Sequence, residues 1–356
     1  MDATVIGVDA HKRSHTAVVL DNDEQISNQL RLVADRRQTD RLLAWAARWP
    51  DRIFAIENAR GLGRLLAQQL VGRGETVVDV PGRLTARTRR LSGHSARKSD
   101  EFDARSVAIV GANHTSLRRV ELDDTPAELR VLLDRRWHLV SARHRVICRF
   151  HDRITELTAG GANKALSPTA AAKALRSIRT DNPADAARRQ AAKDLLAEWR
   201  WLTRRINDAQ RRLDQAVAMH GTTLTDIDGI GTTSAAAIVA IVEDPTRFLT
   251  RGHFASYNGT APVDASSGDH DRHRLNRRGN RQLNKVIHTA AITQIRRDGP
   301  GRDYYERKLA EGKKHLEALR CLKRQLSDVI YRRMLADHRH MQTVRDGQMG
   351  TRPKAA

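Results

Sequence analysis

Cysteine is almost missing from this chain: Cys148 and Cys321 are the two in 356 residues, far apart, with no second cysteine near either. That argues against a disulfide framework or a zinc knuckle and fits a reducing compartment. No apolar run approaches the roughly 20 residues that span a bilayer, and no signal-peptide pattern opens the chain, so the expectation is a soluble, cytoplasmic protein. Acid is also in short supply. Against 63 Lys and Arg stand 42 Asp and Glu, a formal charge of +21. Such an excess self-repels in the folded state unless a polyanion screens it, and nucleic acid is the polyanion it points to. The length exceeds one ordinary core, so two or three domains are expected.

The first hundred residues carry an α/β pattern. Val5-Ile6-Gly7-Val8-Asp9 reads as a strand ending in an acid, and Thr16-Ala17-Val18-Val19-Leu20 as its hairpin partner. A carboxylate on a strand that would otherwise be buried is costly unless it is paired or holds a cation. Gln29 to Val33 supplies a third strand, and Leu42, Leu43, Trp45, Ala46 and Trp49 the apolar face of a helix. Ile53-Phe54-Ala55-Ile56-Glu57 is another short apolar run ending in an acid. A turn, a helix through Leu65, Leu66 and Leu70, and a strand over Thr76 to Val80 follow. A meander followed by alternating helix and strand describes an α/β layer fold, in which the first and fourth strands can be neighbours and bring Asp9 near Glu57.

From Arg83 to Lys98 the chain turns basic, with Arg87, Arg89, Arg90, Arg97 and Lys98 among small and polar residues. Composition alone reads as a solvated linker. Its position, leading straight into Asp100-Glu101-Phe102-Asp103, makes these cations candidates for phosphate contact. Asp100 and Asp103, at i and i+3, share one face of a helix that continues through Val107 and Val110. Asp9, Glu57, Asp100 and Asp103 together form the hard-oxygen set that paired Mg²⁺ ions take, with positions left for phosphate and water. Asp21, Asp79 and Glu101 are nearby decoys. The Gly7-Val8-Asp9-Ala10-His11-Lys12, Ile56-Glu57-Asn58-Ala59 and Asp100-Glu101-Phe102-Asp103-Ala104 segments resemble the D, E, D and D motifs of IS110-family insertion-sequence transposases. The resemblance implies that residues 1–115 form a catalytic domain with the fold of the RuvC Holliday-junction resolvase (RNase H-like).

Beyond residue 122 the pattern is helical. Leu129, Leu132, Leu139, Val146, Phe150 and Leu157 form one stripe, interrupted by Arg136, Arg143 and Arg153. Leu195, Trp199, Leu202, Ile206, Ala209, Leu213 and Ala216 alternate steps of four and three, a heptad seam that fits a helical hairpin, a coiled coil with another subunit, or both. Residues 122–220 are therefore expected to form a coiled-coil or oligomerisation region. Gly229-Ile230-Gly231 before a small-residue helix has the helix-hairpin-helix pattern, which offers backbone N–H groups to phosphate, and equally the pattern of a plain tight turn. Ser266-Ser267-Gly268 then precedes a basic run of Arg272, Arg274, Arg277, Arg278, Arg281 and Lys285. A serine among cations is a plausible nucleophile for phosphorus. The segment from Tyr257 through Arg281 resembles the C-terminal domain of the same transposases, whose catalytic serine precedes a glycine. That implies Ser267, with Ser266 as competitor, in a mainly helical domain over 221–338. Residues 339–356 read as a flexible tail.

The resemblance implies a DNA recombinase in which the acid cluster holds Mg²⁺ at the scissile phosphate while Ser267 attacks it, forming a covalent phosphoserine. It also implies a bridge RNA from the element's noncoding end, donor and target DNA as partners, and a tetramer built as a dimer of dimers in a bacterial cytoplasm, on the nucleoid when bound. Two other readings of the residues stay open: a metal-dependent junction resolvase or nuclease that uses water, and a noncatalytic nucleic-acid-binding protein.

Overall fold

Side-chain alternation along the first strand decides how the N-terminal part is layered. In a computed structural model, which describes residues 3–91, 99–114, 117–122, 125–163, 166–264, 273–274 and 279–349, the chain divides into two units, 1–123 and 124–356. The first unit runs β1 (Thr4–Ala10), β2 (Ser14–Leu20), β3 (Ile26–Val33), α1 (Gln38–Ala46), β4 (Arg52–Glu57), α2 (Arg64–Gly72), β5 (Val77–Val80), α3 (Gly82–Leu91), α4 (Asp100–Asn113) and β6 (Arg118–Arg119). Its sheet has the order β3-β2-β1-β4-β5-β6. β1 lies antiparallel to β2 and parallel to β4, with Val8 opposite Ile56. This is the mixed sheet of an α/β layer fold, with the first and fourth strands adjacent as expected.

Ile6, Val8 and Ala10 of β1 join Phe54 and Ile56 of β4 in a core with Leu42, Leu66 and Leu70 of α1 and α2. The intervening positions point to the other face, where α4 lies. There the chain is kept small. Ala104 and Ala108 pack on Val18, and Val107 and Val110 pack on Ala55 and Val80. A Cβ on Gly7 would stand 2.4 Å from the Ala108 amide nitrogen, and one on Gly111 2.6 Å from Ala55 Cβ. The helix therefore rests almost directly on the strands. Two details differ from expectation: β3 begins at Ile26, and α3 is helical where composition favours a linker.

The second unit is mostly helical: α5 (Thr125–Leu157), α6 (Pro168–Ser177), α7 (Pro183–His220), α8 (Thr232–Val242), α9 (Arg251–Asn258), the short pair β7 (Val263–Asp264) and β8 (His273–Arg274), α10 (Arg281–Ile295), α11 (Pro300–Ala310) and α12 (His315–Met349). Phe150 meets Trp199 with ring centroids 5.9 Å apart, Arg136 bonds Gln210, and Arg188 pairs with Glu156. These contacts make α5 and α7 antiparallel partners within one chain. The heptad seam faces α5, but Leu196 takes the buried seat expected for Leu195, and on α5 Leu133 and Ile154 replace Leu132 and Leu157. The seam on α5 passes through Arg136, whose guanidinium is half-buried and reaches Gln210. The outer part of this hairpin has its own core around Phe150 and Trp199. Leu129, Leu133, Leu213 and Val217, at its other end, join the core of the C-terminal helices. α8 is the centre of that core, with every residue from Ala235 to Val242 buried, as befits a helix apolar on all sides. Helical backbone continues from His338 to Met349 in the stretch expected to be a tail.

Candidate active site

Four carboxylates meet where β1 and β4 end beneath the start of α4. Asp9 follows Gly7 on the α4-facing side of β1 and is 6% exposed. Glu57 ends β4 one residue beyond the Val8–Ile56 pair. Ser99 caps α4 by accepting from the Phe102 amide, which fixes Asp100 and Asp103 in the first helical turn. Asp103 is buried and Asp100 half-buried. The Asp9 carboxyl is pushed up to about 6, chiefly by burial, with His11 opposing and the charges of Asp103, Glu57 and Asp100 adding to the rise. Each of the other three acids is thus close enough to Asp9 to repel its charge.

The partners of these acids are specific. Thr85 of α3, fully buried, donates to Glu57 Oε1 at 2.8 Å. Arg89 Nη1 donates to Asp103 Oδ1 at 2.6 Å, and Arg31 Nη2 lies 3.4 Å from Asp100 Oδ2. Asp9 Oδ2 is enclosed and has no hydrogen-bond partner among the described residues. An orphaned, buried carboxylate oxygen facing three more acids is what a divalent cation would satisfy, so the residues present fit a metal. The decoys have other work: Asp79 accepts from the Ala59 amide, and Asp21 from those of Asp23 and Gln25.

The expected nucleic-acid contacts separate into groups. Arg87 and Arg90 are exposed on α3, whereas Arg89 turns to Asp103. Arg281 and Lys285 are exposed one turn apart on α10. Gly231 is an exposed N-cap of α8 with open space around it. Gly229, at φ +81°, presses on the backbone of α10, where a Cβ would meet the Ala290 carbonyl oxygen at 2.7 Å. Arg97, Lys98, Ser266, Ser267, Arg272, Arg277 and Arg278 lie outside the described residues, and of Arg274 the backbone alone is described, paired with Val263. Described residues on either side of the two serines meet. Gly279 abuts Gly259 so closely that a Cβ would stand 2.4 Å from its nitrogen, and the Asn280 amide donates to the Tyr257 carbonyl. Beneath that junction Asn258 donates to Ser327, Asn284 to the Asn258 carbonyl, and Lys323 to Asn284. Burial holds the Lys323 ammonium below its usual pKa.

Sequence reasoning missed Thr85, Arg31 and His11. His11 had a readable signal, since a three-residue link between two strands leaves its first residue beside the strand end. Thr85 had none without the position of α3.

A family model described as "Transposase IS116/IS110/IS902 family" matches residues 221–306, and a DEDD-type model described as "Transposase" matches residues 6–158. The uncharacterized 44.8 kDa protein of insertion element IS116 from Streptomyces clavuligerus is 30% identical, over 95% of this chain and 96% of that protein. The uncharacterized 42 kDa protein of insertion element IS900 from Mycobacterium paratuberculosis is 27% identical, over 93% and 95%. Among solved structures, T. thermophilus RuvC in complex with a Holliday junction substrate is 13% identical with a TM-score of 0.27, covering 33% of this chain and 100% of that one.

Proposed function

Because this chain belongs to the IS116/IS110/IS902 family of transposases, we propose that it moves an insertion sequence by cutting and rejoining DNA through a covalent phosphoserine. The observation that carries this reading is the meeting of Asp9, Glu57, Asp100 and Asp103, with Asp9 Oδ2 left without a hydrogen bond. Those four side chains would hold Mg²⁺, which when bound supplies Lewis-acid stabilisation of charge on a phosphoryl oxygen.

The rest is work for the chain's own groups. Ser267, or Ser266 beside it, attacks phosphorus through its hydroxyl oxygen; the new O–P bond replaces the bond to a deoxyribose oxygen, which leaves with the proton. The phosphodiester energy is conserved in the ester, so strands can be exchanged and rejoined without ATP. Arg87, Arg90, Arg97, Lys98, Arg272, Arg274, Arg277, Arg278, Arg281 and Lys285 contact phosphates of donor and target DNA and of a bridge RNA, in keeping with the charge of +21. Gly229 and Gly231 form the turn of a helix-hairpin-helix. The α5–α7 hairpin extends into a coiled-coil contact within a tetramer. Exposed Arg87, Arg90, Arg281, Lys285 and Gly231 support these assignments.

The test is a trapping assay with Mg²⁺, RNA from the flanking region and a labelled DNA junction, resolved on a denaturing gel. A covalent protein–DNA band lost in Ser267→Ala and Asp9→Ala but kept in Ser266→Ala is the expected result. Cleaved DNA with no covalent band in any variant would instead identify a water-using nuclease, and RNA binding with no cleavage a noncatalytic binder.

A further inference from the structure

The short link between β1 and β2 sets an imidazole against the carboxylates. His11 N donates to the Ser14 carbonyl at 3.0 Å, which closes the link and fixes where the side chain emerges. Its Nδ1 stands 3.3 Å from Asp9 Oδ2, the enclosed oxygen that makes no hydrogen bond among the described residues. A charge-assisted N–H···O⁻ bond would be about 2.7–2.9 Å and aligned. Ligand atoms of Asp9, His11 and Asp100 all lie within 4.8 Å of one another. Two donors bound side by side to one ion at about 2.1 Å stand roughly 3 Å apart. The spacing therefore suits two ligands of a shared ion better than a hydrogen-bonded pair. Nearby cations are engaged with other carboxylates, Arg89 with Asp103 and Arg31 with Asp100.

We infer that His11 Nδ1 is a ligand of one metal ion together with Asp9 and Asp100, which makes this position a mixed nitrogen and oxygen site. This rests on the reading of the four acids as a metal centre. Glu57 and Asp103 remain oxygen-only donors, so the centre is chemically asymmetric. An imidazole ligand moves preference away from Mg²⁺ and toward first-row transition ions, whereas an all-carboxylate set favours hard ions.

The experiment uses the full-length protein with one equivalent of Mn²⁺ as a paramagnetic probe, read by pulsed EPR for ¹⁴N modulation and by titration for affinity. The wild type is expected to show imidazole nitrogen coupling. His11→Ala should lose it and bind Mn²⁺ on the order of ten-fold more weakly. His11→Asp should lose it while still binding Mg²⁺, showing that the fold and the oxygen donors survive. Coupling that persists in His11→Ala overturns the assignment. So does Mn²⁺ binding that Asp9→Asn abolishes but that shows no ¹⁴N coupling in wild type, which would leave an oxygen-only metal centre standing. No Mn²⁺ bound by the wild type, or binding indifferent to Asp9→Asn, overturns both the ligand and the metal centre.

Discussion

A methyl group on Gly7 would stand 2.4 Å from the amide nitrogen of Ala108 and 2.5 Å from the carbonyl oxygen of Ala104. Those are backbone atoms of the helix that carries Asp100 and Asp103, so the helix would have to lift. Gly7→Ala is expected to cost about 3 kcal/mol or more, at the upper end for overpacking, and to abolish strand cleavage. Denaturant unfolding would measure the first and the trapping gel the second; wild-type stability in Gly7→Ala would show that α4 does not sit so close to β1.

Asp9 gives a pH dependence with a definite sign. Its carboxyl rises from 3.8 to about 6 in the folded chain, so between those values the folded state binds more protons than the unfolded. Metal-free stability therefore falls as pH increases from about 4 to 6. Asp9→Asn removes the effect and should be the more stable protein at pH 7 by about 2 to 3 kcal/mol without metal, while losing the stabilisation that a divalent ion gives to wild type. Thermal unfolding of both proteins across pH 4 to 8, with and without Mg²⁺, distinguishes these effects; parallel curves would contradict them.

Arg89 occupies a carboxylate that a metal ion would use. Arg89→Gln should lose no more than about 1 kcal/mol of metal-free stability, because the guanidinium is a third exposed and solvent screens the pair. It should also bind divalent ions more tightly, since a competing cation is gone. Calorimetric titration that finds weaker binding would make Arg89 a support of the site instead.

Leu196 and Leu195 test the phase of the long hairpin. Leu196 is 5% exposed, and Leu195 is only partly buried against the same cluster. Leu196→Ala should cost about 2 to 4 kcal/mol and Leu195→Ala under about 1. The reverse order in chemical denaturation would mean that the helix is rotated by one residue.

Much of the acid cluster was legible because it depends on short-range periodicity. A two-residue alternation sends Asp9 to the face of Gly7, and an i, i+3 spacing stacks Asp100 on Asp103. The strand neighbours β1 and β4 followed from the order of elements. Other features needed the third dimension. α3 is rich in arginine and buries little beyond Thr85, so its sequence looks like a linker until β5 and Glu57 are in place. β6 is two residues, Arg118 and Arg119, and has no apolar pattern to announce it. Leu195 keeps the alternation of four and three into Trp199 and Leu202 whereas Leu196 breaks it, and only the facing surface of α5 shows that Leu196 takes the buried seat.

The helical hairpin has mechanical implications. α5 and α7 have 33 and 38 residues, roughly 50 Å and 57 Å at about 1.5 Å per residue, and they are rooted in one core and capped by another. A beam of that length amplifies angle into distance: a tilt of about 5° at the root carries the far end through roughly 4 Å, on the 1.5 Å rise per residue. Whatever grips the tip thereby gains leverage on α8 and the helices around it.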